Sequence, residues 1–226
     1  MRPAELHSAA REIADNVSAM RTGDPPKLQL PVAYLPGKHL SVTSLMPKRL
    51  FVAIDLPDET RQLLAGLDPH IRGARWIDPA QMHLTLGFFG DVADDIDRAL
   101  REKLSAIEFG AFFLSVAGIG TFPGKGTPKI IWIGVGTAHP HLFQIYKRVQ
   151  EAALAAGLEP ELHPWHPHIT IARCRDVAPQ LLRKFLKANA DFVAGMIRVE
   201  AFHLYSSKLT PAGPIHTREL TMHCRE

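Results

Sequence analysis

The chain has 226 residues and a mass of 25.0 kDa, and its 46% hydrophobic residues suffice to fill one domain or two closely packed lobes, which argues against wholesale disorder. With 26 Lys and Arg against 23 Asp and Glu the formal charge is only +3, so a polyanionic ligand is permitted without being demanded. Two distant cysteines, Cys174 and Cys224, argue against a disulfide scaffold and a cysteine-based zinc site, and no apolar run approaches the ~20 residues of a membrane helix; a soluble, cytoplasmic protein is expected.

Residues 1–47 read as an extension separate from the body at 48–226. Six of the 18 prolines fall in it, while Leu6, Ala10, Ile13, Val17 and Met20 recur at helical spacing. An amphipathic helix ending near Gly23 and Pro25, followed by a proline-rich linker, is therefore expected. Met46 as the true initiator is the alternative.

Arg49 to Asp55 is apolar on both faces, as a central strand requires. Pro57 and Asp58 open a helix carrying Leu63, Leu64, Leu67 and Ile71, with Asp58 as its N-cap. Strands are expected at Arg75 to Ile77 and His83 to Phe89, then a helix marked by Val92, Ile96, Leu100 and Leu104, then a strand from Phe112 to Ile119. The stretch GTFPGKGTP reads as loop, since its Lys125 lacks the Ser or Thr and the helix that a phosphate loop needs. The second half repeats the alternation: a strand at Lys129 to Val135, a helix using Leu142, Ile145, Val149 and Leu154, and a strand at His168 to Arg173. A helix at Pro179 to Ala188 and strands near Phe192 to Tyr205 and His216 to Met222 follow.

Two of these strands open with the same pattern, HLTL at His83 and HITI at His168. Side chains alternate along a strand, so His83 and Thr85 face one way and Leu84 and Leu86 the other; His168 and Thr170 oppose Ile169 and Ile171 in the same manner. One face anchors the strand, and the other offers an imidazole and a hydroxyl two positions apart. Chance yields far less than one such tetrapeptide in a chain of this composition. Two imidazoles across a cleft suit phosphodiester chemistry, because at neutral pH one ring can accept a proton while its partner supplies one. Each such transfer is worth roughly 10² to 10⁴ in rate. Thr85 and Thr170 are placed to donate to non-bridging oxygens, where charge develops in the transition state. No metal or other cofactor is required by this chemistry.

The two tetrapeptides resemble the paired signatures of the two-histidine phosphoesterases. RLFVAIDLP, RWIDPAQMHLTLGFFGDV, FPGKGTPKIIWIGV and HPHITIAR look in particular like the RNA 2′,3′-cyclic phosphodiesterases, historically called 2′-5′ RNA ligases, and the resemblance runs from about Lys48 to near the C-terminus. It implies an α+β fold that is bilobal, with two pseudo-symmetric sheet-and-helix lobes facing each other across a central groove. It implies hydrolysis of a terminal 2′,3′-cyclic phosphate on RNA, tRNA fragments among the substrates, to a 2′-phosphomonoester by a monomeric enzyme. His83 carries over as proton donor, His168 as acceptor, and Thr85 and Thr170 as phosphate ligands. One departure is His216, where the resemblance leads us to expect Tyr. A related phosphoesterase for a 2′-5′ linkage or a small cyclic nucleotide, and a non-catalytic RNA-binding module, are the competing readings.

Other residues compete for attention. His163, His166 and His168 form HPWHPH, a weak metal motif with no acidic partner, and the HPH at His139 to His141 reads as a helix entry. Arg173, five residues after His168, belongs on the opposite face of a regular strand; a bulge would bring it to the phosphate, and a surface or salt-bridged arginine is the alternative. Cys174 reads as a small buried residue and not a nucleophile. Trp76, Trp132, Trp165 and Phe89 are candidates for stacking on a base, with core packing the simpler role of each.

Overall fold

The computed structural model describes residues 48–136, 139–159, 163–211 and 213–225, so the expected N-terminal helix and linker lie outside the described residues. The fold is α+β. Strands are β1 (Lys48–Asp55), β2 (Ala74–Trp76), β3 (His83–Val92), β4 (Phe112–Ala117), β5 (Ile119–Phe122), β6 (Ile130–Gly134), β7 (His168–Cys174), β8 (Val193–Val199), β9 (Ala201–Thr210) and β10 (Gly213–His223). Helices are α1 (Asp58–Ala65), α2 (Asp94–Ser105), α3 (Pro140–Ala155) and α4 (Pro179–Ala188), with a 3₁₀ turn at Pro79–Gln81.

Eight strands form one sheet in the order β10-β9-β1-β3-β7-β6-β5, with β2 sharing the β3 edge of β7; β4 and β8 form a separate ribbon. Each half of the large sheet holds one HxTx strand at its inner edge. The halves are joined by a single antiparallel pair, Leu84 with Ile169. Extending that register one residue either way sets His83 opposite Thr170 and Thr85 opposite His168, so the two signatures are antiparallel images of each other.

Alternation along these strands decides which face is core. Leu50, Val52 and Ile54 of β1, Leu84 and Leu86 of β3, Ile131 and Ile133 of β6, and Ile169 and Ile171 of β7 are at most 1% exposed. Leu142, Ile145 and Val149 of α3 and Leu100 and Leu104 of α2 belong to the same core. Burying a side chain of this size is worth about 1.5 to 3 kcal/mol. Pro140 sits at the start of α3, and the ring Nδ1 of His139 accepts from the His141 backbone N–H at 3.2 Å, which makes this HPH the expected helix entry. The first turn of α2 carries Asp94, Asp95 and Asp97, favourable against the N-terminal dipole.

Several expectations are corrected. Asp58 is the first residue of α1 and not its cap, because Pro57 holds the cap position, and α1 stops at Ala65, short of Leu67 and Ile71. Val92 ends β3 instead of starting α2. The expected strand from Phe112 to Ile119 breaks at Gly118, whose φ of +80° suits only glycine, so that β4 pairs with β8 while β5 pairs with β6. Gly120, Thr121 and Phe122 therefore lie in a strand, and only the rest of the GTFPGKGTP stretch is loop. The segment Phe192 to Tyr205 is likewise two strands in different sheets. Leu154, assigned to the buried face of α3, is 48% exposed.

Candidate active site

A groove of about 620 Å³ lies over the junction of the two half-sheets, lined by His83 and Thr85 from β3 and by His168, Thr170 and Arg173 from β7. All five residues expected to do chemistry thus open onto one space.

Arg173 reaches it through a defect in the ladder. On β6, Ile131 pairs with Ala172 and Trp132 with Thr170, so Ile171 has no partner and the alternation skips one residue. Ile171 and Ala172 are both buried, and Arg173 returns to the face of His168 and Thr170. The same device occurs in β3. There Val52 pairs with Gly87 and Ala53 with Thr85, which leaves Leu86 without a partner on β1, and Leu86 and Gly87 are both buried. Gln150 of α3 donates to the Leu86 carbonyl at 3.0 Å and so satisfies an oxygen at the irregularity. The fifth residue after each histidine therefore faces the groove, Phe88 on one side and Arg173 on the other.

The two rings are held in parallel ways. His168 Nδ1 lies 2.7 Å from the carbonyl oxygen of His166, two residues back, and His83 has a backbone hydrogen bond with Gln81, also two residues back. A proton on His168 Nδ1 donated to that carbonyl leaves Nε2 with a free lone pair in the neutral ring. Burial is the main cause that pushes the His83 pKa down to about 4. His168 is also lowered, chiefly by burial, with His166 contributing. Both shifts favour the neutral imidazole at pH 7.

Aromatic rings wall each histidine. Phe51 stacks on His83 at 5.0 Å and on Tyr205 at 5.2 Å, while His216 meets Phe51 edge-on at 4.9 Å and His83 at 5.8 Å. Phe122 meets His168 edge-on at 4.9 Å, and Trp132 packs on His166. Trp132 lies flat over Gly120, where a Cβ would come within 2.2 Å of the indole.

Sequence reasoning missed the basic wall. Arg49 and Arg75 join Arg173 around the groove, and Arg75 is the cross-strand partner of Arg173. Both arginines bring positive charge to this side of the groove. The Arg49 guanidinium sits 5.0 Å from the centre of the Phe88 ring, which is 49% exposed. No spacing rule points to these residues, because they meet only through pairing between strands. Next to His83, Asp55 accepts from Tyr205 Oη at 2.7 and 2.9 Å and is paired with Arg218.

The remaining candidates resolve differently. Of the four proposed stacking residues only Trp76 lines the groove; Trp165 stacks on Tyr146 at 4.1 Å and donates to the Thr85 carbonyl, and Phe89 gives way to its neighbour Phe88. Burial raises the Cys174 thiol pKa, the opposite of what a nucleophile needs. Among the described residues, no group of three or more His, Cys, Asp or Glu is placed to hold a metal ion, and no helix is long and apolar enough to cross a membrane.

Comparison with known proteins agrees with this geometry. The RNA 2′,3′-cyclic phosphodiesterase of Aeropyrum pernix is 32% identical over 142 residues, covering 62% of this chain and 80% of that protein. That of Thermotoga maritima is 32% identical over 174 residues, covering 74% and 91%. Among solved structures, E. coli LigT complexed with 3′-AMP superposes with a TM-score of 0.66 at 26% identity, covering 80% of this chain and 99% of that one. Residues 56–210 match the model of the 2′-5′ RNA ligase superfamily, and with both HxTx strands inside that span, the chain belongs to this family.

Proposed function

We propose that this protein hydrolyses a terminal 2′,3′-cyclic phosphate on RNA to a 2′-phosphomonoester without a metal ion. Water attacks phosphorus as His168 Nε2 takes its proton, and the bond to the 3′ oxygen breaks as His83 supplies a proton to that oxygen. Thr85, Thr170 and Arg173 hold the non-bridging oxygens, whose charge grows in the transition state. The observation that carries the reading is the antiparallel meeting of the two signatures at Leu84 and Ile169, with both histidines and both threonines on one groove.

Each ring has a backbone hydrogen bond two residues back, an arrangement compatible with this division of roles. The hydrogen bond from His168 Nδ1 to the His166 carbonyl suits a ring that accepts at Nε2. The depressed His83 is a strong acid once protonated, and a bound phosphate anion favours that protonated form. Phe88 with Arg49 above it offers a face on which a nucleobase can stack, and Arg75 opposite Arg173 adds positive charge for the phosphate backbone. Names borne by the relatives, RNA 2′,3′-cyclic phosphodiesterase, point the same way.

The test is incubation of the protein, in EDTA, with 2′,3′-cyclic AMP and with an oligoribonucleotide ending in a cyclic phosphate, the products separated by chromatography. A 2′-phosphate product is expected. A 3′-phosphate product, turnover abolished by EDTA, or binding without turnover refutes the proposal; cleavage of a 2′-5′ dinucleotide alone transfers the site to that linkage.

A further inference from the structure

His216 was marked in the sequence as a departure, and the reaction above leaves it unused. It sits on β10 opposite Ser207 of β9, lines the groove, and lies steeply inclined to the rings of both Phe51 and His83. We infer that His216 is a third working imidazole of this groove, a neutral Nε2–H donor to a phosphate oxygen on the His83 side. The inference deepens the proposed hydrolysis and rests on it for the identity of the ligand.

The ring's two nitrogens stand in different surroundings. Nδ1 is fully buried with no hydrogen-bond partner. A proton there would be a buried N–H without an acceptor, a rarer and costlier arrangement than an unpaired acceptor. The neutral ring therefore carries its proton on Nε2. Nε2 has no partner among the described residues, yet it is not sealed off as Nδ1 is, and the ring it belongs to lines the groove. A donor is thus carried by a ring that lines the groove 5.8 Å from His83. The doubly protonated ring would also need a proton on Nδ1, so His216 stays neutral and keeps donating where a freely titrating histidine would change charge. Burial lowers its pKa, which fits the same picture.

Three substitutions test this. His216→Phe keeps the ring packed on Phe51 and removes both nitrogens. His216→Gln carries an N–H donor at about the reach of Nε2, and His216→Asn carries one at about the reach of Nδ1. Affinity for 2′-AMP is measured by calorimetry beside thermal melting and turnover of 2′,3′-cyclic AMP. We expect His216→Phe to melt like the parent and to bind 2′-AMP about tenfold or more weakly, the size of a lost hydrogen bond to a charged group. His216→Gln should recover most of the affinity and His216→Asn should not. Equal affinity of His216→Phe and the parent, failure of His216→Gln to recover, or a parent that does not bind 2′-AMP overturns the inference. Binding of 2′-AMP that depends on His216, in a protein that leaves 2′,3′-cyclic AMP intact, overturns the proposed hydrolysis instead and leaves this donor in place.

Discussion

Changing the pH should separate kcat/KM from kcat in a direction that the two depressed histidines fix in advance. In the free protein the His83 pKa lies at about 4, so at pH 7 only about one ring in a thousand carries a proton. His168 is also lowered from 6.5, so both limbs of the kcat/KM profile, which reports the free protein, lie below pH 6.5. The optimum of kcat/KM therefore falls at acid pH, and above it the value declines about tenfold per pH unit. Binding of a phosphodiester changes this. A unit negative charge about 4 Å from an imidazole, at an effective dielectric near 20, interacts by about 4 kcal/mol, equivalent to about 3 pK units. That suffices to return His83 to the neutral range, so the kcat profile should lie toward higher pH than the kcat/KM profile by one to a few units. The assay is steady-state hydrolysis of 2′,3′-cyclic AMP from pH 4 to 9 at constant ionic strength. Because the two sites interact, the limbs belong to the pair and not to either ring. A kcat/KM that rises through pH 7 to 8, or two profiles that coincide, would refute the electrostatic reasoning.

His83→Ala and His168→Ala should each lower kcat by about 10² to 10⁴ while the melting temperature stays near the parent's, since both rings border the groove and neither fills the core; near-normal turnover in either variant removes that residue from the mechanism. Arg173→Ala should raise the KM for 2′,3′-cyclic AMP by roughly 10- to 100-fold, the scale of a charged hydrogen bond to phosphate, and an unchanged KM means that the guanidinium does not touch the substrate. Phe88→Ala should leave a cyclic mononucleotide almost unaffected and weaken a cyclic-ended trinucleotide by about tenfold, because a stacked base contributes about 1 to 3 kcal/mol; equal losses for both substrates would place the aromatic ring against the terminal nucleoside.

Much of the fold was readable because strand alternation and helical spacing are local signals. Pro179–Ala188 matches its expected bounds, and the apolar residues of β1, β3 and β7 are core as read. The failures are where tertiary pairing decides. Phe112 to Ile119 reads as one strand because nothing in its side chains announces that the two sides of Gly118 join different sheets. Val92 fits a helical stripe equally well as the last residue of a strand, and pairing with Lys48 made it the latter. The four signature residues were legible since each pair lies within three positions. Arg49 and Arg75 were not, because they approach Arg173 and Phe88 only after strands far apart in sequence have paired.

On the proposed function, the bulge that follows the threonine in each HxTx strand separates the two sides of the groove. Each HxTx strand skips the residue directly after its threonine, Leu86 in β3 and Ile171 in β7, and that skip turns the fifth residue after histidine back toward the groove; β3 skips a second residue, Phe89, further on. The backbone device is the same on both sides, so chemistry is divided by what stands at that one position. In the proposed hydrolysis Arg173, with Arg75 across from it, takes the anion on the His168 side, and Phe88, beside the Arg49 guanidinium, takes a flat ring on the other. An oligonucleotide carries a neighbouring base together with its terminal phosphate, so a chain laid with that base toward Phe88 and its terminal phosphate toward Arg173 has only one orientation in which both are met. Exchanging the two residues, Phe88→Arg with Arg173→Phe, keeps the summed charge and both bulges while reversing that polarity. If orientation is set here, the exchanged protein should lose far more kcat/KM on the cyclic-ended trinucleotide than on 2′,3′-cyclic AMP, and equal losses on the two would show that the histidines alone orient the substrate.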